Sequence, residues 1–315
     1  MFDKIILNYD WEGEDFSPSL DNLQETWEGR DNRTGEESRG GFLQGMRVRV
    51  WPSRNRMRIE GSLAKFLFHE NVTMLTRETT QEALENLGEA LEIDIGKARV
   101  SSLEVGINIV TRQEPWLYLQ RLGDMPRRER LEYSHNTLYY KRKGREQRDA
   151  LKIYDKVREA KKKANRGMQI PLEMRGKHIL RFELSLNSRL PQQLDMEEIK
   201  ASSLYTCEVW EKLKAMLLEK YESITKISKN GIDTKRIRSP KDAKEGFLSF
   251  LGADVDLAGR VDAYIAMLKA NNAFKDRRYY TRTESALKKD ISKSSLLETD
   301  GLIEELDAAM ENYLN

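Results

Sequence analysis

Cysteine is nearly absent: Cys207 stands alone in 315 residues, so no disulfide can form within the chain. Histidine is almost as scarce. His69, His135 and His178, with that single thiol, cannot supply a Cys/His zinc cage at the usual short spacings. Long apolar runs are missing as well. The longest, Ala263 to Leu268, falls far short of the ~20 residues that cross a bilayer, and the opening MFDKIILNYDWEGED is too acidic for a secretion signal. These shortages argue against a disulfide-stapled miniprotein and a membrane span, and they predict a cytoplasmic protein.

Charge is plentiful. Charged residues make up 34% of the chain and hydrophobic ones 39%, a polar but globular balance with ample apolar material for one large domain or two ordinary ones. The net charge of +2 hides a strong segregation. Residues 121 to 189 hold 20 Lys/Arg against 9 Asp/Glu, whereas the first forty hold 11 Asp/Glu against 4 Lys/Arg. Within the basic stretch, KRKGREQR and KVREAKKKANR surround Tyr133, Tyr139, Tyr140 and Tyr154. Cations that displace counterions, interleaved with rings that stack on bases, suit a nucleic-acid strand. The same residues also suit a solvated, salt-bridged helix face.

Periodicity divides the chain near residues 190 to 200. MFDKIILNY reads as a strand, and residues 10 to 41, rich in Gly, Asn, Asp, Glu and Ser, read as a loop or insertion. GMRVRVWP and NRMRIEGS alternate strictly around Pro52 to Asn55 and predict a β-hairpin. SLAKFLFHEN reads as a short helix, and a longer one capped by Thr79 closes near Gly96. Three amphipathic strands follow. ARVSSLEVGINIV turns Leu103, Val105, Ile107 and Ile109 inward, LKIYDKV turns Leu151 and Ile153 inward ahead of a basic helix, and HILRFELSLN does the same with Leu180, Phe182, Leu184 and Leu186. From Leu194 the pattern is helical: 195 to 228, shorter helices around 241 to 271, and 283 to 312. FLSFLGADVDLAGRVDAYIAMLKANNAF has the outline of a helix-turn-helix, or of an ordinary packed helical pair. The expected architecture is α+β: a largely antiparallel sheet with helices on one face in residues 1–192, and an all-helical C-terminal domain in 193–315 that binds DNA or a partner.

If the three strands are neighbours, their polar faces bring Tyr154 among Glu104, Glu183 and Glu159, with Lys152, Lys156 and Arg181 nearby. Grouped carboxylates repel unless a hard divalent cation joins them, which points to Mg²⁺ or Mn²⁺ polarising a phosphodiester. A tyrosine hydroxyl with a pKa near ~10 needs help to act as a nucleophile at neutral pH. A half-buried packing tyrosine on a solvated strand face fits the same spacing.

The run from Ser62 to Ile109, with its Ser-x-Ala-Lys helix, longer helix and strand bearing Glu104, resembles the filamentous-phage gene II/gene X replication initiators. IYDKVRE resembles that family's Tyr-x-Lys-x-x-Glu segment, and LRFELSL its Arg-Phe-Glu strand, the similarity running from about Gly61 to Leu186. The resemblance implies rolling-circle replication: nicking one strand at an origin, holding the 5′ end on a tyrosine, and rejoining it. It makes Tyr154 the nucleophile and Lys156 its positively charged partner, with Glu104, Glu183 and Glu159 as metal ligands. Lys141, Arg142, Lys143, Lys152 and Arg181 are the expected DNA contacts, Arg181 alternatively holding Glu183 in place. The match slips at His69, which takes no role, and no His-x-His pair occurs, so the metal site would be built from carboxylates. Tyr139 and Tyr140 are rival nucleophiles by position. Origin DNA, single-stranded or supercoiled, is the expected partner, with a host helicase as a second. A mobilisation relaxase of the same chemistry, or a DNA binder without enzymatic activity, are the alternatives.

Overall fold

The computed structural model describes residues 1–13, 17–134, 136–144, 148–164, 172–227, 257–271, 273–274, 276–292 and 301–314. The chain divides into two compact units, residues 1–115 with 127–221 and residues 116–126 with 222–313. The first is built on a ten-stranded sheet in which every pairing is antiparallel.

Its strands are β1 (Phe2–Asp10), β2 (Gln24–Arg30), β3 (Glu37–Leu43), β4 (Met46–Trp51), β5 (Arg56–Ser62), β6 (Arg99–Thr111), β7 (Glu129–Tyr133), β8 (Thr137–Lys141), β9 (Asp149–Asp155) and β10 (His178–Leu186). They lie in the order β2-β3-β4-β5-β1-β6-β10-β9-β8-β7, so the three amphipathic strands are direct neighbours. Register turns alternation into a layer. Leu138, Ile153, Phe182 and Ile107 pair across four strands, and so do Tyr140, Leu151, Leu184 and Val105. All eight are buried, as are Val48, Val50, Met57 and Ile59 farther along. Period-two burial over so many strands makes one face of the sheet a continuous apolar wall.

Helix α1 (Leu63–Phe68) begins at Ser62, whose side chain accepts from Lys65 N. Helix α2 (Arg77–Leu91) is capped by Thr76 rather than Thr79: Thr79 is the third helical residue, and the two side chains form a reciprocal capping box. It ends at Leu91, with Glu92 in the left-handed conformation, before the expected Gly96. A short helix α3 (Pro115–Leu119), the basic helix α4 (Lys156–Ala164) and one turn α5 (Leu190–Gln193) follow. Helix α6 (Cys207–Glu222), read from sequence as part of the tail, packs on the apolar wall: Trp210 meets Phe2 edge-on at 5.6 Å and Tyr221 meets Phe182 at 5.7 Å.

Residues 10–41 depart from the loop reading, because β2 and β3 form a hairpin on the sheet edge. Strand β2 is exposed almost throughout, with only Trp27 half-buried, so no apolar alternation marks it. In the second unit, Val261 and Ile265 of α7 (Leu257–Ala270) and Tyr280 of α8 (Arg278–Ser292) share a small core, and α9 (Gly301–Leu314) buries Leu306 and Met310. Tyr118 donates to Glu305 at 2.6 Å. The first helix and the turn of the helix-turn-helix outline, residues 247–256, lie outside the described residues, and its second helix is α7. Among the described residues no helix is long and apolar enough to cross a membrane.

Phe182 sits at the centre of the apolar wall, fully buried beneath the Tyr221 ring. Phe182→Ala is expected to destabilise the fold by about 3–5 kcal/mol, read as a lower urea midpoint at unchanged slope.

Candidate active site

The opposite face of the same strands is polar, and it too is covered. Strand β10 lies between β9 and β6, and register sets Arg181 between Tyr154 and Asn108, Glu183 between Lys152 and Gly106, and Ser185 opposite Glu104. A side chain at position 106 would obstruct this layout. A Cβ there would stand 2.6 Å from Nη2 of Arg181, so the bare glycine is what lets the guanidinium lie down on the sheet.

Arg181 is 3% exposed and its donors are committed. Its Nε bonds Glu183 Oε2 at 3.1 Å, Nη1 bonds Asn108 Oδ1 at 3.0 Å and Nη2 bonds Asp3 Oδ2 at 2.8 Å. Burial disfavours the charge, yet Asp3, Tyr154 and Glu183 hold the guanidinium more firmly protonated than usual. Arg181 is thus placed to hold Glu183, the second of the two roles expected for it.

Asp3 completes this group and has no counterpart in the sequence reading. Simple alternation in β1 puts it beside Ile5 and Leu7 on the apolar side. A register shift between Phe2 and Ile5, which pair with Val105 and Leu103, turns it to the polar face instead. There it also accepts from Ser62 Oγ at 2.7 Å and from Asn71 Nδ2 at 3.3 Å. Burial opposes its charge, but Arg181, Ser62 and two lysines hold the carboxyl below the usual carboxylate range.

Tyr154 is 5% exposed and its hydroxyl donates to Glu183 Oε2 at 3.0 Å. Burial and the Glu183 charge push the phenol well above its ordinary pKa, against the pull of Arg181, so the resting form is the neutral phenol. Lysines flank its ring, Lys152 Nζ at 4.3 Å from the centroid and Lys156 Nζ at 5.9 Å. The strand stops directly afterwards because Asp155 accepts from Arg158 N at 2.8 Å, capping α4. Lys156, 1% exposed, bonds Asn71 Oδ1 at 3.0 Å and Glu159 Oε2 at 3.3 Å. Asn71 thus ties Lys156 to Asp3, and Asn108 Nδ2 donates to Val72 O at 2.7 Å, fastening the segment after α1 to the site's residues.

The expected metal ligands do not form a metal centre as they stand. Among the described residues no three or more Asp, Glu, His or Cys side chains are grouped to hold an ion. Glu183 is engaged by Arg181 and Tyr154, and Glu159 pairs with Lys156. Glu104 accepts from Ser185 Oγ at 3.3 Å, and burial together with the charges of Glu183 and Asp3 raises its pKa. The remaining expected DNA contacts lie elsewhere: Lys141 pairs with Glu129 at 3.6 Å, Arg142 with Asp149 at 2.9 Å, and Lys143 is exposed. Asp149 is also gripped by buried Arg128. Of the rival nucleophiles, Tyr140 belongs to the apolar wall, and Tyr139 stands opposite Lys152 on β8.

The raised pKa of Glu104 has a defined sign. The folded state binds its proton more tightly than the unfolded chain does, so its contribution is fully favourable only below the unfolded value near ~4.3 and is lost as pH rises through the folded one. Glu104→Gln is expected to be more stable than the parent at neutral pH. The advantage should disappear on acidification to about pH 4, followed by urea denaturation across pH.

Among curated proteins no relative matches the chain. The family model that describes the N-terminal region of the phage gene II replication-associated protein matches residues 14–212, a span that includes Tyr154, Lys156, Arg181, Glu183 and Glu104. The chain therefore belongs to the filamentous-phage gene II replication initiator family.

Proposed function

We propose that the protein nicks and rejoins one strand of origin DNA through Tyr154. The observation that carries this reading is the hydrogen bond from the Tyr154 hydroxyl to Glu183, a carboxylate held in place by buried Arg181. A phenol of raised pKa needs an adjacent base to become a nucleophile, and Glu183 is within proton-transfer distance. Tyr154 Oη attacks phosphorus while the phenolic proton passes to Glu183. The new Oη–P bond replaces the P–O3′ bond, and the 3′ oxygen takes up a proton and leaves as a free hydroxyl. Since one phosphodiester replaces another, the return reaction reseals the strand.

Lys152 and Lys156 supply positive charge beside the ring as negative charge builds on the phosphorane. Tyr154 is buried at rest, so a phosphate reaches it only when part of the surrounding protein moves. Glu183 is engaged by Arg181 and Tyr154, and Glu159 by Lys156, so the proposed proton transfer uses the protein's own side chains.

Incubation with supercoiled origin plasmid, followed by mass spectrometry, is expected to find a nucleotide linked to Tyr154. Tyr154→Phe should abolish both adduct and relaxation while leaving band-shift binding nearly intact. Glu183→Gln should slow cleavage by about 10²–10⁴-fold. Full cleavage by Tyr154→Phe removes this tyrosine from the mechanism, and a parent protein that shifts DNA without ever relaxing it is a binder alone.

A further inference from the structure

The polar face of the sheet continues past the tyrosine. From β2 to β6 a row of paired positions runs Trp27, Gly40, Arg49, Arg58, Asn8 and Arg99. Arg47 and Trp51 flank Arg49 on the same face of β4, because they stand two residues away on either side. The cations and rings are stacked. Arg49 lies 5.5 Å from the Trp27 ring and 4.6 Å from the Trp51 ring, and Arg47 lies 5.7 Å from Trp27. Gly40 makes room for this arrangement, since a Cβ there would stand 2.9 Å from the Trp27 indole.

The acids on this face are already used. Asp10 pairs with Arg56 and Arg99, and Glu60 pairs with Lys4 and Arg58. No ion pair engages Arg47 or Arg49 among the described residues, and Arg49 Nε is a buried donor without a partner. Arg47 and Arg49 therefore stand outside any ion pair among the described residues, beside half-buried indoles on the edge strand β2 and on β4.

We infer that this arginine–tryptophan ladder is a binding track for single-stranded DNA, with bases stacking on Trp27 and Trp51 and phosphates held by Arg47 and Arg49. Aromatic platforms with interleaved guanidiniums match a single strand. A duplex keeps its bases stacked on one another and offers none to an indole. An acidic peptide would satisfy the cations and leave the rings unused. The track lies on the same sheet face as Tyr154. From β4 to β9 there are five inter-strand steps, roughly 24 Å at ~4.8 Å each, a span that a short extended strand can bridge. The inference deepens the nicking reading and rests on it for the choice of DNA.

The test measures fluorescence anisotropy of labelled oligo-dT in a Tyr154→Phe background, so that binding is read without cleavage. Trp27→Ala should weaken binding about fivefold or more, and Trp27→Phe should restore much of the loss. The Arg47→Ala/Arg49→Ala double variant should lower the slope of log affinity against log salt by about 1.4. A duplex of equal length should respond far less. Unchanged affinity and salt slope in variants with parental circular dichroism would overturn the track, and so would equal losses on single strand and duplex. The two readings separate through the adduct assay on the parent: reduced oligo-dT binding in the ladder variants without any Tyr154 adduct keeps the track and removes the nucleophile.

Discussion

A guanidinium enclosed in a β-sheet is tolerable only where fixed acceptors meet its donors, and Arg181 finds them on separate strands: Asp3 on β1, Asn108 on β6 and Glu183 on its own β10. Removing one partner from such a group leaves a buried charge uncompensated, typically at a cost of about 3–5 kcal/mol. The surrounding chemistry descends from this requirement. Glu183 is aimed at Tyr154 because Arg181 holds its Oε2. Asp3, in reaching Arg181, also receives Ser62, the residue that starts α1, and Asn71, which secures Lys156. The first strand, the first helix and the tyrosine are thus parts of one electrostatic arrangement.

Much of this could be read from alternation. Leu103 to Ile109, Leu151 and Ile153, and Leu180 to Leu186 are buried where their period places them, and the functional groups of the three strands share the other face. What alternation cannot convey is that both faces are covered. Lys156 and Arg181 look like solvent-facing cations in a sequence, yet each is buried because Asn71, Asp3 and Glu183 satisfy it from distant positions. Asp3 was hidden for a different reason, since one irregular step in β1 reverses the side to which it points. Neighbouring threonines show how finely such readings turn: Thr76 and Thr79 cap each other's backbone, and only the reciprocal bonds reveal which one stands outside the helix.

Charge illustrates the limit of windowed sums. The stretch from 121 to 189 has a large basic excess, but several of its cations are occupied, Arg128 and Arg142 both on Asp149. The arginines of β4 and β5 sit closer to the acidic start of the chain and draw less notice. There the period of two gathers Arg47, Arg49 and Arg58 on one side while Val48, Val50, Met57 and Ile59 fill the other. Geometry concentrates what the running total dilutes.

The anchoring of Asn71 to Lys156 and Asp3 bears on the proposed covalent intermediate. A tyrosine joined to DNA is an ester that water can destroy, and an enzyme that must wait for a returning 3′ end has to survive that interval. On the proposed nicking reaction, Asn71 refastened to Lys156 and Asp3 would limit water beside the linkage, so that the bond would be spent on a nucleic-acid hydroxyl rather than on hydrolysis.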